Sequence, residues 1–369
     1  MGFLKKMWND RMLMVTLMFT LLSFLKGLPH VEDIDWKTIF ILASLMICIQ
    51  ILNEVKFLTY CSNILVRKAK NEQGLMQTVV FLGFFGAMLL TNDVAIITLL
   101  PIYFKIAKAQ NLPVILPSIL ITVAANLGSI STPFGNPQNI FLVSYYNLSL
   151  SYFFEISILL TITNLLVLYL ITHVKFKKKE LTVSKEVFEE KIAKFKLIIG
   201  LVLFFSVLCS VFGLIPSYIS LVLTIIGCLF LQKNILKKID YNLLLIFICF
   251  FIIVGTLSRG HLISIFFESM LTSKLMVYLS AIVTSQIISN VPASILLAKF
   301  TGLASAVFIG VNIGGLGTMI ASLANLLAFK QFVLYYPEKR TYFFNTFTKV
   351  NVILLLVLGT VGYLFVLVT

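Results

Sequence analysis

The chain has 369 residues, of which 59% are hydrophobic and only 12% charged, and its mean hydropathy is +1.02. A soluble domain carries about a quarter charged residues, so a cytosolic globular enzyme, a disordered chain and an ordinary nucleic-acid binder are excluded. The 29 Lys and Arg against 15 Asp and Glu give a net charge of +14. Because the basic residues sit mostly in short loops, that excess reads as membrane topology rather than nucleic-acid binding.

Unbroken Leu/Ile/Phe runs long enough to cross a bilayer predict helices, not the alternating segments of a barrel. In chain order the predicted spans are 12–28, 38–53, 113–145, 152–172, 197–214, 217–232, 242–258, 303–329 and 347–368. Two stretches, 75–104 and 275–298, carry a polar break near their middle. They read as re-entrant hairpins, which are tolerated only where protein or water lines them. The first apolar run lacks a small-residue cleavage site and reads as a retained span. The long polar stretch at 175–196 reads as a solvated linker. It divides the chain into an N-terminal half (1–173), the linker (174–196) and a C-terminal half (197–369). With the N-terminus in the cytoplasm, 24 of the 29 basic residues fall inside. Only Lys26, Lys37, Arg259, Lys274 and Lys299 fall outside, which fits the positive-inside rule in a plasma-membrane protein. Five scattered cysteines form no CxxC pair, so neither a disulfide framework nor a zinc site is expected. His30, His173 and His261 stand at span ends and read as interfacial.

An internal repeat organises these elements. Residues 126–139 read NLGSISTPFGNPQN and residues 312–325 read NIGGLGTMIASLAN. Without a gap, Asn126 matches Asn312, Gly128 matches Gly314, Thr132 matches Thr318 and Asn139 matches Asn325. Upstream of each copy, Thr91-Asn92-Asp93 and Ser289-Asn290-Val291-Pro292 mark the centres of the two hairpins. An odd number of spans per unit inverts the second copy relative to the first. Gly128, Pro133, Gly135 and Pro137 cannot hold a regular helix. The expected fold is therefore an all-α polytopic membrane protein of two inverted repeats. Each repeat has a re-entrant hairpin and a broken transmembrane helix, with about nine spans plus the two hairpins. Interrupted helices meeting at the midplane are the architecture of many secondary transporters.

At these residues the chain resembles the ion transporter superfamily, which holds the divalent-anion/sodium symporters, citrate transporters, arsenite permeases and NhaD-type antiporters. The Asn-Asp pair at 92–93, the Asn-Val-Pro at 290–292 and TPFGNPQN at 132–139 look most like its arsenite permease and NhaD branch. The third hairpin position is Asp93 or Val291 rather than Thr, and 318–325 lacks a Pro-Pro-Asn, both departures from the dicarboxylate carriers. The chain is similar to the short anion permeases of the citrate-transporter-like group. The resemblance implies alternating access, no cofactor beyond a bound Na⁺ near Asn92, Asp93 and Asn290, and a homodimer.

The candidate substrate- and ion-binding residues are Thr91, Asn92, Asp93, Ser129, Thr132, Asn136, Asn139, Ser289, Asn290, Gly314, Thr318 and Asn325. Asp93 is the one acid assigned to membrane depth, where an ionisable residue is functional by default. The alternative is a structural bond to a hairpin-tip N–H. Asn92 and Asn290 are ligand or capping residues, and Thr132, Thr318, Asn139 and Asn325 divide equally between ligation and packing. The leading expectation is a secondary transporter for a small inorganic, oxyacid or carboxylate anion, or arsenite, coupled to H⁺ or Na⁺. The runner-up is a Na⁺/H⁺ antiporter working through Asp93. An intramembrane enzyme would need paired acids, a His cluster or a Ser-His dyad at depth, so catalysis is not expected; no phosphate-binding Gly-rich loop is present, so ATP-driven pumping would require a separate partner subunit.

Overall fold

The computed structural model describes residues 10–66, 68–180 and 193–369. Among these residues the chain is all helical, with no strand beyond an isolated bridge between Asn71 and Glu180. The middle of the expected linker, 181–192, lies outside the described residues.

The helices are α1 (Arg11–Ser23), α2 (Trp36–Glu54), α3 (Phe57–Val66), α4 (Glu72–Leu89), α5 (Asn92–Gln110), α6 (Ile115–Ser129), α7 (Pro137–Tyr145) and α8 (Leu150–Lys175). After the linker come α9 (Lys194–Val211), α10 (Ser217–Leu231), α11 (Tyr241–Ser258), α12 (His261–Met270), α13 (Lys274–Ile288), α14 (Asn290–Ala298), α15 (Ala304–Gly314), α16 (Leu323–Tyr335) and α17 (Arg340–Val368). Among the described residues, five helical stretches are long and apolar enough to cross a membrane: α2, α8, α9, α11, and α17 with the short turn before it. Of the other four predicted spans, 12–28 and 217–232 are the shorter apolar helices α1 and α10. Span 113–145 is the broken pair α6 and α7, and 303–329 is the broken pair α15 and α16. The span expected to reach residue 28 stops helically at Ser23. The second broken span runs on to Tyr335, and the last helix begins at Arg340 rather than 347.

Both expected hairpins are present, and the first is longer than its apolar pattern suggested: its arms α4 and α5 cover 72–110 instead of 75–104. Polar Asn71 fixes the start of α4 by accepting from Gly74 N at 2.8 Å, a cap worth about 1 kcal/mol. Each pair of arms packs against itself, α4 on α5 and α13 on α14. Directly before each hairpin lies a ten-residue helix, α3 or α12, and before that a span, α2 or α11. The repeat thus contains seven elements, α2–α8 and α11–α17, more than the motifs alone revealed. Its last members both carry Thr-x-x-Asn, at Thr161–Asn164 in α8 and Thr348–Asn351 in α17. Helices outside the repeat cover the entry spans: α9 and α10 pack on α2, and α1 packs on α11.

Small residues let the hairpins approach the broken helices. In the first repeat, Gly83 of α4 faces Ala124 of α6, and in the second, Ala281 of α13 faces Gly310 of α15. The glycine sits on opposite partners of the same contact, and either placement lets the backbones close. The halves then interlock. Hairpin arm α5 packs on half-helix α16 of the other repeat, and hairpin arm α14 packs on half-helix α7. Phe104 of α5 sits edge-on to Phe332, with ring centroids 5.9 Å apart.

Candidate functional site

Four helices, α5, α7, α14 and α16, begin at the centre of the molecule, and α6 and α15 end there. The two unwound segments between them are 130–136 and 315–322. Pro137 at the first turn of α7 is placed where no N–H is needed, and Asn136 caps that helix by accepting from Asn139 N at 2.9 Å. Ser322 does the same for α16 through Ala324 N at 3.3 Å.

The asparagines of the repeat pair across the two halves. Asn126 Nδ2 donates to Asn325 Oδ1 at 2.7 Å, and Asn312 Nδ2 donates to Asn139 Oδ1 at 2.8 Å. The first residue of each motif therefore bonds the last residue of the other. Further bonds repeat in both copies. Asn136 Nδ2 donates to Asn312 Oδ1 at 3.1 Å, and Ser322 Oγ donates to Asn126 Oδ1 at 3.3 Å. Asn139 Nδ2 reaches Thr132 O at 2.9 Å and Ser129 O at 3.2 Å, while Asn325 Nδ2 reaches Thr318 O at 3.1 Å and Gly315 O at 3.0 Å. Each amide thus ties up carbonyls that unwinding would otherwise leave unpaired.

The hairpin tips attach in the same symmetric way. Asn92 N donates to Gly135 O at 3.3 Å and Asn290 N to Ala321 O at 2.9 Å. Thr132 Oγ1 donates to Met88 O at 2.8 Å and Thr318 Oγ1 to Gln286 O at 3.3 Å. Asn92 Nδ2 joins the lattice through Asn126 Oδ1 at 3.2 Å, and its own Oδ1 accepts from Asp93 N at 3.0 Å. Asn290 lies against Gly315, and among the described residues its Nδ2 donates to no acceptor and its Oδ1 receives only Ser289 Oγ, at 3.5 Å. Ser289 adopts φ +77°, a costly conformation for a residue with a side chain. Thr91, its counterpart, is extended. Neither side chain caps the helix that follows.

All the predicted site residues except Asp93 lie within this knot or at its hairpin turns. Asn92 and Asn290 share the cluster without bonding each other. Gly128 and Gly314 press on the hairpins: a Cβ at Gly128 would stand 2.1 Å from Phe84 O, and one at Gly314 would stand 2.8 Å from Ser285 Oγ. Asp93 occupies the first turn of α5, partly buried, and its carboxylate accepts no hydrogen bond among the described residues, so it is not spent on a hairpin-tip N–H. Ser129 Oγ accepts from Asn136 Nδ2 at 2.9 Å. Asn126 and Asn312 stand at the centre of the knot although the candidate set omits them; their exact match in the repeat was the available signal. Gln138, 3.3 Å from Asn312 Oδ1, and Gln286 carried no such signal. Among the described residues no Lys or Arg joins the knot: Lys105, Lys108, Lys299 and Lys330 are exposed. Among the described residues, no cluster of His, Cys, Asp and Glu could hold a metal.

The citrate transporter family model, CitMHS, matches residues 7–302. A Methanocaldococcus jannaschii protein described as uncharacterized transporter MJ0456 is 35% identical over 321 residues, 86% of each chain. The Escherichia coli inner membrane protein YbiR is 29% identical over 298 residues, 80% of each chain. The crystal structure of the Alcanivorax borkumensis YdaH transporter, described as having an unusual topology, superposes with a TM-score of 0.63 at 14% identity. That match covers 97% of this chain and 98% of the other, a likeness of fold.

Proposed function

The chain belongs to the citrate transporter (CitMHS) family of multi-pass membrane transporters, and from that premise we propose that it is a secondary transporter working by alternating access. Its substrate is a small oxyanion, a carboxylate or an arsenite-type oxyacid, and its coupling ion is H⁺ or Na⁺. One observation carries the reading. The reciprocal pairs Asn126–Asn325 and Asn312–Asn139 join the helix ends that flank the unwound segments of opposite repeats, at one buried point. An alternating-access carrier needs its site there, where both halves contribute.

The chemistry of the knot favours a particular range of substrates. The N-termini of α5 and α14 carry no side-chain cap and present partial positive charge, about half an elementary charge per helix. With no Lys or Arg nearby among the described residues, that field suits a singly charged or uncharged oxyacid better than a trivalent carboxylate. Asn290, whose amide N–H groups meet no acceptor among the described residues, is the substrate ligand on the second hairpin. Asn92 and Asp93 take the coupling cation on the first. The unpaired Asp93 carboxylate also supports the second reading, Na⁺/H⁺ exchange with no further substrate. The protein acts as a homodimer in the plasma membrane, with its N-terminus and the 174–196 linker in the cytoplasm; the E. coli relative's description as an inner membrane protein supports that location.

Flux in proteoliposomes tests the reading. Uptake of arsenite, phosphate, sulfate or citrate driven by a H⁺ or Na⁺ gradient is expected. Movement of Na⁺ or Li⁺ against H⁺ with no dependence on any of these substrates would replace it with the antiporter.

A further inference from the structure

The two repeats depart from symmetry at the junction of hairpin and unwound segment. In the second repeat, Gln286 of α13 directs its side-chain amide at the end of α15. Its Nε2 lies 2.7 Å from Gly314 O, 3.0 Å from Leu316 O and 3.3 Å from Ile282 O. Its Oε1 accepts from Thr318 N at 2.9 Å, which assigns the amide's orientation. Three backbone carbonyls converge on one nitrogen that carries only two hydrogens. Gly317 makes the room: at φ +97°, a Cβ there would stand 2.4 Å from Gln286 Oε1.

The same positions in the first repeat hold Met88 and Ser131. A methionine has no N–H to offer, and Ser131 receives Thr161 Oγ1 at 2.8 Å instead. The counterparts of Gly314 O and Leu316 O are Gly128 O and Ile130 O. The contact they receive from a side-chain amide is Asn139 Nδ2 at 3.4 Å from Ile130 O. The exchange is paired, Gln286 with Gly317 against Met88 with Ser131, so the amide and its room occur together.

Converging carbonyls at the C-terminal end of a membrane half-helix form the negative end of its dipole and suit a monovalent cation. We propose that the Gln286 amide permanently occupies the cation position of the second repeat, so that the cycle takes its coupling cation at the first repeat alone. The inference rests on the cation-coupled reading above, but it concerns occupancy and is read by binding rather than by flux. Gln286 acts as a positioning residue, holding the second unwound segment in one shape with or without cation. The first segment, lacking such a residue, is the one that cation binding orders.

Equilibrium binding of radioactive Na⁺ to the full chain in nanodiscs tests this without a variant. One saturable ion per chain is expected, and two would overturn the proposal. If none binds, Na⁺ coupling fails while the occupancy of the second repeat stands. Gln286→Glu is the complementary probe, since it keeps the shape but turns an oxygen toward the carbonyls, where a cation must offset the repulsion. It should bind one more Na⁺ per chain than the wild type. Its melting temperature should also rise by about 2 °C or more when Na⁺ replaces choline at equal ionic strength, beyond any rise in the wild type. If Gln286→Glu does not fold, Gln286→Met, which installs the residue of the first repeat, takes its place with the same readout. A folded variant that binds no more Na⁺ than the wild type, and melts with the wild-type response, overturns the proposal.

Discussion

Asparagine does the central work because it is neutral, short and able both to donate and to accept. Asn126 and Asn312 each donate to the partner repeat and accept from it, so removing either strands several buried groups at once. Stranding a buried polar group costs about 1–3 kcal/mol. Asn126→Ala and Asn312→Ala should therefore lower the melting temperature and the transport rate by similar amounts. A large loss at one position with none at the other would show that the pairing is not functionally two-fold. Asp93 behaves differently, because its carboxylate accepts no hydrogen bond among the described residues. Asp93→Asn should leave the protein folded and able to exchange substrate while abolishing uphill flux driven by H⁺ or Na⁺. Wild-type uphill transport in that variant, with unchanged ion dependence, would make the residue structural.

Among the helices, close approach decides which contacts can tolerate change. A Cβ at Gly128 would collide with the carbonyl of Phe84, whereas one at Gly302 would meet nothing within 4 Å. Gly128→Ala should therefore push α6 off α4, at a cost of about 1–3 kcal/mol for overpacking, with loss of transport. Gly302→Ala should leave both unchanged, and thermal melting of the two variants side by side checks the contrast. The loop before α2 is held to α11 by Asp33, which pairs with Arg259 at 2.5 Å. Burial alone would raise the Asp33 carboxyl, but the Arg259 guanidinium and the His30 amide outweigh it and hold it below its ordinary value. A lowered carboxyl stabilises the fold above its unfolded value and loses that contribution as pH falls through the lowered one. The stability difference between wild type and Arg259→Gln should thus be constant from neutral pH to about 5. It should begin to shrink as pH falls past about 4, the ordinary carboxylate value, and vanish only below the lowered value of Asp33; a difference that persists there would exclude the ion pair as its cause.

At the scale of the whole molecule, inversion joins the two ends of one motif to the two ends of the other. Only antiparallel copies bring the first residue of one motif to the last of its partner. The same inversion predicts sidedness. Cysteines introduced at Lys178 and Thr369 should label from opposite faces of the membrane, the first from the cytoplasm. Labelling of both from one side would break the expected topology, and with it the proposed placement of the 24 basic residues inside.

Apolar run length and the Asn-Gly-Pro pattern by themselves determined an all-α membrane chain, two hairpins, two broken helices and their repeat, because burial in lipid and helix interruption are local properties of composition. The polar tips Thr91–Asp93 and Ser289–Asn290 were legible for the same reason. Only the tertiary structure decided the partners. The bonds Asn126–Asn325 and Asn312–Asn139 join residues 199 and 173 positions apart, and a matched motif does not say whether its copies face each other or stand separately. The role of Gln286 was likewise hidden, since its position is matched by Met88. An amide becomes an occupant only when folding brings Gly314, Leu316 and Ile282 carbonyls around it, with a glycine at 317 to leave the space.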